Sequence, residues 1–372
     1  MGWSSVLDLL SGLTNVTWGH VVMMAVGGVL LYLAIAKDYE PMLLLPIGAG
    51  CILANIPGTG MLEGDGLFGI LMKAGVDTEI FPLLIFVGIG AMTDFGPLLE
   101  NPRMVLLGAA GQFGIFGTLL LALLLKFNMN QAASIGIIGA IDGPTSIYVS
   151  SVLAPDMLGP ISVAAYSYMS LVPIIQPPIM RLMTTREERL IRMPYTSRPV
   201  SKLARVIFPI AVTLLTGLLV PKASPLIGML MLGNLLRESG VVDRLVGASS
   251  NEIANVVTLL LGLTIGSTMT AERFLRLDTA LILVLGIIAF ALDTAAGLLF
   301  GKFLNLVTGG KFNPLIGAAG ISAFPMSARV VQRVGQEEDF NNHLLMHAMG
   351  ANTAGQIGSV LAGGVVLALL TR

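Results

Sequence analysis

The chain has 372 residues, of which 55% are hydrophobic and only 12% are charged, and its mean hydropathy is +0.85. Soluble domains are about 45–50% apolar and about 25% charged, so this composition excludes an ordinary soluble protein and predicts an integral membrane protein with many helices. The net charge of −1 gives no basic surface for nucleic acid. The single cysteine, Cys51, excludes an internal disulfide.

The first predicted element is a short helix over residues 1–19 that lies in the membrane interface. The segment has no basic residues before its apolar part and carries Asp8, so it does not match a secretory signal peptide. An amphipathic helix with one apolar face is typical of interfacial anchors. The residues on that face are Trp3, Val6, Leu7, Leu10 and Leu13.

Twelve apolar segments follow, and several are shorter than the ~20 residues that a simple membrane span requires. We therefore expect about nine to twelve crossings, with some segments re-entrant. The segments are 20–37, 41–56, 80–93, 104–126, 130–153, 158–180, 204–221, 224–236, 252–270, 278–306, 313–332 and 343–370.

A basic stretch at 181–205 divides the chain into two comparable halves. It contains seven of the 21 Lys and Arg residues. The positive-inside rule places such a stretch in the cytoplasm. We therefore predict a first transmembrane repeat at 20–180, a basic cytoplasmic linker at 181–205 and a second transmembrane repeat at 206–372.

The two halves resemble each other. Matching interrupted helices in two halves are the best sequence indication of a transporter's binding site. We predict an all-α polytopic membrane protein of two related repeats, inverted if each has an odd number of crossings, with a broken helix near the bilayer midplane in each. The paired stretches are 41–48 with 225–233, and 135–139 with 316–320, the last two each followed by a proline five residues on.

The first broken helix places Asp142 between glycines and Pro144, within an apolar segment long enough to cross a bilayer. A charged group there costs about 2.5–3.5 kcal/mol on insertion scales and is a functional candidate by default. Carboxylate and freed carbonyl oxygens suit a hard cation. We predict that Asp142 binds a cation or carries a proton, with Thr145 and Ser146 adding hydroxyl oxygens. The alternative is that Asp142 only caps the second half of the helix.

The second broken helix, at 313–329, carries the neutral oxygen donors Asn313 and Ser322. Arg329 and Arg333 follow on one helical face, four residues apart. A functional Arg329 would hold a carboxylate through two parallel hydrogen bonds. The alternative is that both arginines extend to the membrane interface.

Four further polar residues are weighed against ordinary packing. Tyr168 lies in the segment after the first break and is either a core residue or a proton donor near Asp142. Asp293 is a second acidic candidate, ranked below Asp142 because no break or proline lies near it in the sequence. His343 and His347 lie one turn apart without a third ligand, so they do not predict a metal site.

The chain resembles the β subunit of sodium-pumping biotin-dependent decarboxylases, the group acting on oxaloacetate, methylmalonyl-CoA, glutaconyl-CoA and malonate. The matching motifs lie at 139–145, 233–240, 313–329 and 344–350, and they extend over most of the chain. Two departures occur: Ala-Ile-Asp stands where the family has Gly-Ala-Asp, and Gly-Ala-Asn at 350–352 stands where it has Gly-Pro-Asn. Neither changes the carboxylate.

The resemblance implies a carboxyltransferase α subunit, a biotin carrier protein, a small γ or δ membrane subunit and several β copies, in a bacterial or archaeal cytoplasmic membrane. This chain would decarboxylate carboxybiotin on the carrier, consume a proton and move Na⁺ outward. Carried over by position, the residues that would bind Na⁺ are Asp142, Thr145, Asn313 and Ser322. Those that would act in catalysis are Asp142, Tyr168, Ser322 and Arg329, and those that would lie at the biotin cofactor are Gly317, through close helix approach, and Arg329.

The main alternative is a stand-alone Na⁺-coupled carboxylate symporter or a cation/proton antiporter, which would share the buried acid and the broken helices. The sequence has no P-loop, so ATP hydrolysis does not supply the roughly 2.3 kcal/mol per charge per 100 mV that cation export costs. We expect the helices that carry both breaks to move together relative to a scaffold formed by the remaining spans.

Overall fold

The computed structural model describes residues 11–194 and 200–371, and within these ranges the regular structure is helical and contains no strand. This confirms the predicted all-α class. Of the predicted interfacial helix at 1–19, residues 1–10 lie outside the described residues. Within 11–19 the structure has a short helix at Ser11–Thr14, a break, and the first residues of a longer helix that begins at Trp18.

Eight longer helices precede the linker in the described part of the chain. Side-chain caps set some of their starts: the hydroxyl of Thr17 accepts a hydrogen bond from the amide of His20 at the start of α1. The helices are α1 (Trp18–Lys37), α2 (Pro41–Ala54), α3 (Ile80–Met92), α4 (Met104–Ala110), α5 (Phe113–Leu124), α6 (Met129–Gly136), α7 (Gly143–Leu153) and α8 (Leu158–Met183). Shorter pieces lie at Leu67–Leu71, Met72–Val76, Gly96–Glu100, Ile137–Ala140, Pro155–Met157 and Arg186–Arg189.

Six longer helices follow the linker. The second of them, α10, ends at Ser239 and is capped by Gly240, whose φ of +64° is a left-handed conformation that favours glycine. The helices are α9 (Lys202–Leu219), α10 (Ser224–Ser239), α11 (Ala254–Ser267), α12 (Leu277–Val307), α13 (Met326–Glu338) and α14 (Leu345–Leu370). Shorter pieces lie at Pro221–Ala223, Asp243–Gly247, Ala248–Ile253, Ala271–Phe274 and Pro314–Gly320.

Seven helical stretches of the described chain are long and apolar enough to cross a membrane. Three shorter apolar helices accompany them, including α2 and α3. These features show a multi-pass membrane protein, as the composition predicted. The expected number of nine to twelve crossings stays a prediction.

The segment around the first break folds back on itself. Helix α6 leads into a 3₁₀ turn at Ile137–Ala140, and α7 then runs away from the turn. Residues 128–131 at the start of α6 and residues 153–157 after α7 line one surface cavity of about 430 Å³. We call residues 129–153 hairpin 1. Its two arms therefore begin and end at the same end of the molecule, instead of forming one interrupted span.

The segment around the second break is also a hairpin. The 3₁₀ helix Pro314–Gly320 leads to a non-helical tip, and α13 returns. At one end, Asn313 Nδ2 donates to the carbonyls of Arg189 and Ile191, at 3.1 and 2.8 Å. At the other end, Glu338 pairs with Arg189 at 2.7 Å. Residues 314–338, which we call hairpin 2, thus open toward the linker.

The two hairpins open at opposite ends of the molecule. Helix α8 has 26 residues and is therefore about 39 Å long. It begins beside the cavity of hairpin 1 and ends at Met183, next to the linker that contacts hairpin 2. Inverted repeats would produce this opposed arrangement, although the repeat relationship itself stays a prediction.

The buried apolar residues form two clusters. The larger cluster joins both hairpins to α4, α5, α8, α10, α12 and α14. The smaller cluster is built mainly from α1, α2 and α11 and also receives Ile147 of hairpin 1 and Tyr166 of α8. Both hairpin tips therefore lie in one packed body that borders a second one.

Candidate functional site

The tips of the two hairpins meet at Asp142, whose side chain is only 7% exposed. Its Oδ1 accepts a hydrogen bond from the amide of Thr145, at 3.2 Å. Its Oδ2 accepts from the hydroxyl of Ser322 in hairpin 2, at 3.1 Å, and from the hydroxyl of Ser359 in α14, at 2.7 Å. Asp142 therefore does cap α7 through Oδ1, as the alternative interpretation held. Its second oxygen, Oδ2, instead accepts from two serines outside hairpin 1.

The tips are also joined through the backbone. The amide of Ser322 donates to the carbonyl of Ala140, at 3.2 Å. The next residue, Ile141, has a φ of +53°, which is an outlier for a β-branched side chain. Backbone strain of this kind costs about 1–3 kcal/mol and persists where the surroundings enforce it, often at functional sites. Contacts from both hairpins thus hold the tip around Asp142 in a strained conformation.

The cluster is a set of hard oxygen donors. The hydroxyls of Ser322 and Ser359 donate to the carboxylate of Asp142, and the nearby Thr145 hydroxyl is buried without a hydrogen-bond partner among the described residues. The oxygens of Ser322 and Ser359 are 3.1 Å apart. One negative charge with several neutral oxygens fits a hard monovalent cation or a single proton. Because the donors come from three separate elements, a bound ion would connect both hairpins with α14.

Sequence reasoning missed the contribution of α14. Besides Ser359, this helix carries Asn352, which donates to the carbonyl of Ile321 at 2.7 Å, and Gln356, which accepts from Thr93 at 3.1 Å. The three polar residues are spaced by four and three positions, so they share one face of an otherwise apolar helix. That spacing is the signal that would have indicated a polar seam.

The structure separates Tyr168 from the cluster. Its hydroxyl donates to the carbonyl of Leu283, and its ring packs against Gly286, both on α12. The tyrosine beside the site is Tyr166, whose ring covers Gly143 so closely that a Cβ on that glycine would overlap the ring. Two residues along a helix point to different sides, and sequence position alone did not resolve which tyrosine faces Asp142.

Asn313 and Gly317 also lie apart from the carboxylate. The Oδ1 of Asn313 accepts from the amide of Leu315, at 3.0 Å, and its Nδ2 binds the linker. The seven-residue 3₁₀ helix places Asn313 about 14 Å from the tip. Gly317 packs backbone to backbone on Gly297 of α12, where a side chain would overlap the facing carbonyl. Close helix approach at Gly317 is thus present, and its role at a cofactor stays a prediction.

Arg329 lies in the first turns of α13, between the tip of hairpin 2 and the linker end. It is exposed and forms no ion pair with any described residue. Arg333, one turn further, donates through Nη2 to the carbonyl of Pro173 at 2.8 Å. The two arginines therefore lie on one face of α13 but differ in their contacts. The guanidinium of Arg333 is bonded to a backbone carbonyl, whereas that of Arg329 is exposed and can bind a ligand.

The open end of hairpin 2 is covered by residues 186–192 of the linker, which we call the strap. Arg189 pairs with Glu338 at 2.7 Å, and Arg192 pairs with Asp339 at 2.5 Å. The Arg189 guanidinium holds the pKa of Glu338 below its usual value, mainly through this hydrogen bond. Lys302 of α12 reaches Glu188 of the strap at 3.2 Å. The strap therefore ties both arms of hairpin 2 to α12.

Comparison with known proteins identifies the family. The family model described as the Na⁺-transporting oxaloacetate decarboxylase beta subunit matches residues 19–370. The chain is 56% identical to the glutaconyl-CoA decarboxylase subunit beta of Acidaminococcus fermentans, covering 97% of this chain and 96% of the relative. It is 55% identical to the methylmalonyl-CoA decarboxylase subunit beta of Veillonella parvula, with the same coverage. It is 48% identical to the oxaloacetate decarboxylase beta chain 2 of Salmonella typhi, covering 96% of each chain. The chain that joins two hairpins at a buried carboxylate therefore belongs to the family of Na⁺-transporting decarboxylase beta subunits.

Proposed function

We propose that this chain decarboxylates carboxybiotin carried by a partner protein and couples that step to outward Na⁺ transport and proton consumption. The observation that carries the proposal is the meeting of both hairpin tips at Asp142, with Ser322 and Ser359 donating to one carboxylate oxygen. Membership of a family of Na⁺-transporting decarboxylase subunits supports the same reading.

Asp142 is the residue we assign to alternate between Na⁺ and a proton. Na⁺ would take oxygens from Asp142, Ser322, Ser359 and Thr145, and a proton would replace it on the carboxylate. Because Ser322 belongs to hairpin 2 and Asp142 to hairpin 1, the occupant of the carboxylate affects how the tips fit together. A ligand can shift a conformational equilibrium only through such a difference in affinity between states.

The exposed Arg329 fits a carboxylated ligand approaching from the linker end. A guanidinium without an ion-pair partner in the described chain can bind a carboxylate through two hydrogen bonds. Carboxybiotin, when bound, would supply the decarboxylation that drives transport. This chain would hold the ligand near hairpin 2 and provide a proton. Asp142 and the neighbouring Tyr166 are the nearest candidates for the proton donor, and Tyr168 is a more distant candidate.

The boundary between the two apolar clusters, where Ile147 of hairpin 1 and Tyr166 of α8 pack into the smaller one, is where we assign a movement of one body against another. The body that carries both hairpins would move relative to the scaffold of α1, α2 and α11. One contact between them joins Gly159 of α8 to Thr268, just after α11. Such a movement would expose the Asp142 cluster to the two sides of the membrane in turn.

The partners we expect are a carboxyltransferase α subunit, a biotin carrier protein, a small γ or δ membrane subunit and further copies of this chain, in a bacterial or archaeal cytoplasmic membrane. The test is to purify the native complex and to measure decarboxylation with and without Na⁺, for the wild type and for Asp142→Asn. Na⁺-stimulated activity that is lost in the variant supports the proposal. Na⁺-dependent carboxylate uptake by the isolated chain, without a biotin protein, would replace it with the symporter.

A further inference from the structure

A second carboxylate is buried in the same body and has no part in the proposed cycle. Asp293 lies near the middle of α12, which spans 31 residues, and its side chain is 0% exposed. Burying a charge without compensation is strongly unfavourable, so its surroundings must account for it. The sequence ranked Asp293 low because no helix break is near it along the chain. In space, however, it lies beside the turn of hairpin 1 and beside the break between α4 and α5.

The contacts of Asp293 join three elements. Its Oδ1 accepts a hydrogen bond from the amide of Gly114, in the first turn of α5. Its Oδ2 faces Gly139 in the turn of hairpin 1, where an added Cβ would lie 3.1 Å from that oxygen. No described residue gives this second oxygen a hydrogen-bond partner. The carboxylate of Asp293 therefore sits at the junction of α12, α5 and hairpin 1. Its neighbour in hairpin 1, Gly139, lies three residues before Asp142 in the chain.

The start of α5 also reaches hairpin 2. A Cβ on Gly111, in the break between α4 and α5, would overlap the carbonyl of Gly320 at the second tip. Gln112 Nε2 donates to the carbonyl of Gly108, at 3.0 Å, and lies 3.4 Å from the carbonyl of Gly355 in α14. Residues 111–114 therefore pack against hairpin 1, hairpin 2 and α14, which are the three elements that supply the Asp142 cluster.

We propose that Asp293 is a positioning residue for the Asp142 site. By accepting from the amide of Gly114, it fixes the first turn of α5 on α12. The first turn of α5 then holds Gly139 and Gly320 at the separation that lets Asp142 and Ser322 share one ligand. A carboxylate suits this place because the amides at a helix N-terminus favour a negative group. The inference rests on the proposed function, since its readout is Na⁺ activation.

The test compares Asp293→Asn with Asp293→Leu in the whole complex. Asparagine keeps an oxygen that can accept from Gly114, so the Na⁺ concentration for half-maximal decarboxylation should stay within about twofold of the wild type. Leucine leaves a buried amide without an acceptor and should raise that concentration about tenfold or more. The amount of assembled complex and its thermal midpoint are measured alongside, so that misfolding is not mistaken for weak Na⁺ binding.

A second pair of variants keeps the test decisive if the leucine variant does not assemble. Gly139→Ala pushes a methyl group against the backbone nitrogen of Ile115, at 3.0 Å, and toward Asp293 Oδ2, at 3.1 Å. It disturbs the same junction of hairpin 1 with α5 and α12, so it should raise the half-saturating Na⁺ concentration in the same direction. Gly117→Ala in α5 is the matched control, since its Cβ meets side-chain atoms alone, the end of Leu292 at 3.3 Å and the ring of Phe113 at 4.0 Å. It should leave Na⁺ activation unchanged.

Two results would overturn the inference. If asparagine is as damaging as leucine, the charge of Asp293, and not its hydrogen bond, is what matters. If neither Asp293→Leu nor Gly139→Ala changes Na⁺ activation, Asp293 has no role in positioning. Either result, in a complex whose wild type is stimulated by Na⁺, leaves the proposed function intact. A wild-type complex without any Na⁺ stimulation would instead contradict the proposed function itself.

Discussion

The two hairpins share a tip-to-tip site but differ at their open ends. Hairpin 1 opens beside a cavity of about 430 Å³, and a second cavity of about 140 Å³ shares Gln131, Asp156 and Met157 with it. Hairpin 2 is closed by the strap, whose arginines pair with Glu338 and Asp339. The difference suggests two tasks under the proposed function: the tips would carry the chemistry, while the ion pairs hold the open end of hairpin 2 against the strap.

The largest expected effect is at the tip of hairpin 1. Asp142→Asn keeps an oxygen to cap α7 but removes the charge and the exchangeable proton, so Na⁺-stimulated decarboxylation should fall about 10²-fold or more. Steady-state activity of the purified complex at several Na⁺ concentrations measures it. The control is Asp156→Asn, just beyond the open end of hairpin 1, which should keep most of the activity. Full Na⁺ stimulation in Asp142→Asn would place the chemistry elsewhere.

Movement of the hairpin body can be blocked at one contact. A Cβ on Gly159 would lie 2.6 Å from Thr268 Oγ1, so cysteines at both positions fall within disulfide reach. We expect oxidation of the Gly159→Cys, Thr268→Cys pair to stop Na⁺ transport in vesicles and reduction to restore it. The single variants Gly159→Cys and Thr268→Cys are the controls, because neither can form this disulfide. The native Cys51 is buried and does not offer another partner. Undiminished transport in the crosslinked protein would disprove movement across this contact.

A smaller effect is expected from Ser359→Ala. The variant loses the hydroxyl that lies 2.7 Å from Asp142 Oδ2, and hydrogen bonds to charged groups contribute about 1.5–3 kcal/mol. The half-saturating Na⁺ concentration should therefore rise by about one to two orders of magnitude. Ser322→Ala should act in the same direction, and the double variant should be less than additive because the two hydroxyls contact each other.

The control for these serines is Ser151→Ala in hairpin 1, the hairpin that carries Asp142. Its hydroxyl bonds to the carbonyl of Tyr148, away from Asp142, and it should leave Na⁺ activation unchanged. An equal loss in Ser151→Ala would show that hairpin packing, and not ligand binding, sets the Na⁺ response.

The smallest effect is expected at the strap. The lowered pKa of Glu338 means that its pair with Arg189 stabilises the folded protein above about pH 4.3, the ordinary Glu pKa, and that this stabilisation is lost as the pH falls through the lowered value. Glu338→Gln should therefore lower the free energy of unfolding by about 1 kcal/mol or less near neutral pH, and the difference should shrink in acid.

Thermal unfolding of the purified protein from neutral to acidic pH checks this difference. Glu337→Gln is the matched control, because its pair with Arg181 is about half exposed and should contribute close to nothing. A Glu338 effect that grows as the pH falls would contradict the assigned direction.

The sequence alone predicted the class and the family of this protein correctly, and it singled out Asp142, which the structure buries where the two hairpin tips meet. Composition required a membrane protein, because so few charged residues cannot cover a soluble surface of this size. Asp142 was found because a carboxylate beside glycines and a proline is costly in an apolar segment. The resemblance drawn from four motifs agrees with the family that the comparisons show.

Only the tertiary structure decided which residues meet Asp142. It brought Ser322 and Ser359 to the carboxylate, turned Tyr166 toward the site in place of Tyr168, and placed Asn313 at the strap. The reason is that residues far apart in the chain meet only after the helices pack, and one step along a helix turns a side chain by about 100°. Local pattern therefore identifies a group that needs partners, whereas the packing of both hairpins against α14 selects them.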